Sequence, residues 1–157
     1  MFNITSKKVK EESLKDLIQE FNLANAKGID EAKKLIDRIS VRVIVDKIKV
    51  SNNIKEIGQL LDIINYYPWE YPSKILTKIE HEVFVAKILK SQDAEGCSHL
   101  LESIDIISEK KANEIFEEIP MEKFIELVDS SNKFYDVFKV LKILDEFSES
   151  KLNFMLN

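Results

Sequence analysis

The chain has 157 residues, 45% hydrophobic and 32% charged, with a formal net charge of −5; that balance is globular and excludes the weakly hydrophobic, highly charged class that stays unfolded. Three Gly and three Pro give too little punctuation for a hairpin-rich architecture, and a lone cysteine excludes both an internal disulfide and a Cys-based zinc site. The acidic balance opposes a protein that works by neutralising phosphates, no apolar run reaches the roughly 18 residues of a membrane span, and MFNITSKKVK lacks the apolar core of a secretory leader, so a cytoplasmic protein is expected.

The first ten residues put only Ile4 in an apolar slot and bring Lys7, Lys8 and Lys10, so the opening unit is expected to be partial. A long helix is predicted after Ser13, whose spacing to Asp16 is that of a capping box. Its apolar slots are Leu17, Phe21 and Ala24; Gly28 breaks it, and a shorter helix follows with Leu35 and Ile36 inward. Ile39 opens the next unit. Ile44, Val45 and Ile48 make the i, i+1, i+4 stripe of an amphipathic helix. Ser51 interrupts, Asn53 with Glu56 caps a helix carrying Ile57, Leu61 and Ile64, and Ile75 and Leu76 belong to a third helix beyond Pro68.

The same positions return with a shift of 40 residues. Ile79, Phe84, Val85 and Ile88 repeat the first stripe, Cys97, Leu101 and Ile104 the second, Ile115 and Phe116 the third. A further shift gives Ile119, Phe124, Ile125 and Val128, then Val137, Leu141 and Leu144, then Met155 and Leu156. Breaks recur at Ser91 and Ser131, and at Ser108 and Ser148. A fixed period of this length is the mark of a repeat architecture, in which each unit buries its apolar face against its neighbours.

Three helices in about 40 residues resembles the armadillo repeat, and the unit length is also that of HEAT repeats. The resemblance covers nearly the whole chain and rests on period and pattern. It implies an all-α fold: an α-solenoid of about 40-residue, three-helix repeats in a single right-handed stack, one domain over residues 1–157 with units at 1–38 (partial), 39–78, 79–118 and 119–157. It also implies a non-enzymatic scaffold or adaptor whose extended concave surface binds a protein or peptide.

The segment Tyr66, Tyr67, Pro68, Trp69, Glu70, Tyr71, Pro72 departs most from the repeat, and four aromatics in seven residues have the composition of a binding hot spot. The plain alternative is that the prolines widen a bend and the rings fill it. A second candidate is the polar ladder Gln19, Gln59, His99 and Lys139, with Lys55, Glu95 and Tyr135 in the adjoining slot; its alternative is an ordinary solvated face. At the C-terminus Phe147, Leu152, Phe154, Met155 and Leu156 have no following repeat to cover them, which suggests a homodimer interface.

Chemistry is weakly signalled. His81 shares a slot with Val41 and Met121, and Cys97 with Leu17, Ile57 and Val137, so both are expected to be structural; His99 is expected at the surface. No HExxH, ExxH, GxSxG or P-loop string occurs, so no metal, cofactor or catalytic residue is expected. The carboxylates Glu109, Glu114, Glu117, Glu118, Glu122, Glu126 and Asp129 read as a solvated face. Residues 1–78 carry a net +3 and residues 79–157 a net −8, so any nucleic-acid contact would be confined to a local patch drawn from Lys33, Lys34, Arg38 and Arg42 with the N-terminal lysines.

Overall fold

The computed structural model describes residues 13–68 and 70–148. Among these the chain is all-helical, with α1 Leu14–Lys27, α2 Ile29–Arg38, α3 Val41–Val50, α4 Ile54–Asn65 and α5 Glu70–Leu76, then α6 His81–Lys90, α7 Ala94–Ile107, α8 Glu109–Glu118, α9 Met121–Asp129 and α10 Phe134–Phe147. The starts of α4, α7 and α10 fall at residues 54, 94 and 134, and those of α3, α6 and α9 at residues 41, 81 and 121. The period read in the sequence is therefore the spacing of the helices.

Local chemistry explains the boundaries. The Ser13 hydroxyl accepts from Asp16 N at 3.2 Å while the Asp16 carboxylate accepts from Ser13 N at 2.9 Å, completing the capping box. Asn53 Oδ1 accepts from Glu56 N at 3.1 Å and Asp93 Oδ1 from Gly96 N at 2.9 Å, so three of the four long helices begin on a side-chain cap. Lys133 before α10 makes no such bond. Gly28 ends α1 and begins α2 in one residue; its φ of 110° is a conformation that side chains resist.

The long helices α1, α4, α7 and α10 pack in chain order, each on the next. The third helix of a unit packs on both of its partners: α5 touches α3 and α4, and α8 touches α6 and α7. Every slot expected to be apolar in the two middle units is buried: Ile44, Val45, Ile48, Ile57, Leu61, Ile64, Ile75 and Leu76, and Phe84, Val85, Ile88, Cys97, Leu101, Ile104, Ile115 and Phe116. Burying a side chain such as Leu61 or Leu101 contributes roughly 1.5–3 kcal/mol.

Half-buried lysines bridge one helix to the end of another. Lys87 Nζ donates to the carbonyls of Lys49, at 3.0 Å, and of Ser51, and Lys111 Nζ donates to the Leu76 carbonyl at 2.7 Å. These carbonyls close the ends of α3 and α5, where a cation meets the negative end of the helix dipole. Burial lowers both amine pKa values. The Tyr71 hydroxyl donates to the Ile39 carbonyl at 3.4 Å in the slot that Lys111 fills one unit later.

Candidate functional site

Helix α4 approaches α7 closely because two glycines allow it. A Cβ on Gly96 would lie 2.8 Å from Ile54 Cγ2 and 2.5 Å from the Asp93 carboxylate, and one on Gly58 would lie 3.1 Å from His99 Nδ1. Along this seam several members of the polar ladder pair between neighbouring helices. Lys55 and Glu95 join at 3.1 Å, and His99 Nε2 and Ser103 Oγ both approach Asp62, at 2.5 Å and 2.6 Å. One unit later Glu102 holds Lys139 at 3.5 Å and Lys142 at 2.9 Å, with Lys139 Nζ 5.6 Å from the centre of the Tyr135 ring. His99, expected at the surface, is thus half-buried between helices because Asp62 draws it inward. Gln59 remains exposed.

The polar side chains of this seam are turned toward one another. Ser103 and His99 both turn to the same carboxylate, so no histidine accepts the serine proton as nucleophilic catalysis requires. The Cys97 thiol is buried and pushed up to about 11 by desolvation, which keeps it protonated and unreactive. His81 Nε2 lies 2.7 Å from Glu118, which raises its pKa, with Glu82 at 3.5 Å adding to the pull. Among the described residues no group of three or more His, Cys, Asp or Glu could hold a metal ion, and no helix is long and apolar enough to cross a membrane. Of the cations weighed for a nucleic-acid patch, Lys34, Arg38 and Arg42 pair with Glu31, Glu20 and Asp46.

In the aromatic segment, Tyr67 and Tyr71 are buried, and burial raises both hydroxyl pKa values. Tyr67 donates to Asn25 Oδ1 at 2.8 Å and meets Phe21 edge-on at 5.5 Å, so these two rings join α1 to the α4–α5 turn. Tyr66 is 87% exposed beside Ile29 and Lys33 on an open groove, and Trp69 lies outside the described residues. At the other end Phe147 is half-buried, stacked on Phe116 at 5.2 Å, while Leu152, Phe154, Met155 and Leu156 lie outside the described residues.

Among the described residues the largest exposed aromatic set lies on α10, a face that motif patterns do not single out. Phe134 is 86% and Phe138 53% exposed, with Tyr135 beside them and Val137 and Leu141 half-covered. Their register equivalents are buried throughout: Leu14, Ile54 and Ala94 for Phe134, and Ile18, Gly58 and Ser98 for Phe138. Ile54 and Gly58 are the positions that meet α7, so Phe134 and Phe138 occupy the slots where a following long helix would seat. On α9, Ile125 is likewise exposed where Val45 and Val85 are buried. The sequence held a signal: large rings stand where the preceding unit has Ala94 and Ser98.

No protein-family model, no curated protein and no solved structure matches this chain.

Proposed function

We propose that this chain is a non-enzymatic protein-interaction module, an armadillo- or HEAT-like α-solenoid that engages its partner through the α10 end face. The observation that carries the reading is the exposure of Phe134 and Phe138 in slots that are buried in every earlier unit. Soluble chains rarely leave contiguous aromatic surface open without a use for it, and aromatic anchors dominate interface energetics. The seam between α4 and α7 supports the non-enzymatic part, because its histidine, serine and carboxylate are satisfied by one another.

The test is a comparison of affinity capture by the wild-type chain and by Phe134→Ser/Phe138→Ser, each checked for its helical circular dichroism and melting. A partner retained by the first and lost by the folded second supports the reading. Identical captured sets on both chains would refute it.

A further inference from the structure

The α10 face presents a self-complementary pattern. Its exposed stripe runs Phe134, Phe138 and, near the far end, Asp145, with Leu141 half-covered between them; Lys133 stands immediately before the helix. A second α10 laid antiparallel across a two-fold axis near Phe138 brings the two Phe138 rings together and sets Lys133 of each copy toward Asp145 of the other. A parallel arrangement would place like charges side by side.

Among the described residues, the side of α1 away from α4 differs in kind. The slot filled by the buried Leu60, Leu100 and Val140 is Glu20 in α1, where it pairs with Arg38 at 3.2 Å. Asp16 and Gln19 are also exposed on α1, and Leu23, 62% exposed, stands among these polar groups. Seating the α10 rings there would bury the Glu20–Arg38 pair against aromatic surface, a cost that the isologous α10–α10 contact does not carry.

Resting on the reading of this face as a contact surface, we infer that its occupant is a second copy of the chain, bound through an antiparallel α10–α10 contact. Three rings exposed to this degree, with Val137 and Leu141 half-covered on the same helix, give a total buried area of roughly 1,000 Å² for two copies. That is the lower bound for a specific interface, so the dimer dissociates on dilution.

The experiment is light-scattering mass across a concentration series for wild type, Phe138→Asp, Asp145→Lys and Lys133→Glu/Asp145→Lys, with an independent crosslinking arm. The wild-type mass should rise from 18.2 kDa toward twice that value. Phe138→Asp should shift the midpoint at least about tenfold upward. Asp145→Lys should weaken the dimer, and the double charge exchange should restore it. Oxidised Phe138→Cys should give a covalent dimer, whereas Ile106→Cys, on exposed surface of α7, should not. A wild-type chain that stays at 18.2 kDa up to about 1 mM overturns the inference. If Phe134→Ser/Phe138→Ser still loses a captured protein in that case, the face binds a different partner, and the inference falls while the functional reading stands. A dimer indifferent to Phe138→Asp, or to Asp145→Lys, overturns the proposed contact as well.

Discussion

Helices α7 and α10 have the same length and the same register, yet among the described residues one is sealed on both sides and the other on one. Toward its following neighbour α7 presents Ala94 and Ser98, small residues that let α10 come close. In the same slots α10 presents Phe134 and Phe138, and no described helix lies against them. The first long helix gives a different case, because α1 has Glu20, paired with Arg38, where the later long helices have a buried Leu or Val. The period fixes which positions are candidates for burial; residue size and polarity decide whether a given position is built for close internal packing, for water, or for an external contact.

The largest effect should separate the sealed and open helices at one shared slot. Leu101 is fully buried and Leu141 half-covered, so Leu101→Ala should cost about 2–5 kcal/mol of unfolding free energy and Leu141→Ala less than half as much in dilute protein, both measured by urea denaturation. Comparable losses at the two positions would mean that α10 is covered as α7 is.

Next in size is the close approach itself. Gly96→Ala places a methyl against Ile54 and against the Asp93 cap, and should cost about 1–3 kcal/mol despite the better helix propensity of alanine. Asp136 holds the equivalent position in α10, so Asp136→Ala should change stability by only about 0.5 kcal/mol. An unaffected Gly96→Ala would show that α4 and α7 can separate without loss.

The smallest effect concerns pH. His81 pairs with Glu118 in the sealed region, whereas Met121 fills the same slot one unit later. Glu118 raises the folded pKa of His81 above its ordinary value of 6.5, so the pair's stabilisation is fully present below that value and is lost as pH rises through the folded pKa. NMR titration of the imidazole should give a midpoint above 6.5, and Glu118→Gln should bring it down. A midpoint that Glu118→Gln leaves in place would remove the ion pair from the account.

Much of the helical pattern was legible because a period of 40 fixes the slots and Ser13 and Asn53 mark two helix starts. Long-range polar partners were less legible. The Tyr67 hydroxyl bonds to Asn25, 42 residues away in the chain, and His99, expected at the surface, lies beside Asp62, 37 residues away. Such pairs depend on the angle between neighbouring helices, which the apolar period does not encode. The α10 face was missed for a different reason: the slots that align Val137 and Leu141 with buried residues say that a position is apolar, and only a comparison of side-chain size shows that Phe134 and Phe138 exceed the space their counterparts occupy.

The most direct test of the open-face account is a pair of melts, Ser98→Phe and Phe138→Ser, each compared with wild type in dilute protein. Ser98→Phe forces a ring into the sealed slot and should cost at least about 1–3 kcal/mol, while Phe138→Ser should leave monomer stability within about 0.5 kcal/mol. A large loss from Phe138→Ser, or a harmless Ser98→Phe, would contradict the claim that one register is closed at α7 and open at α10.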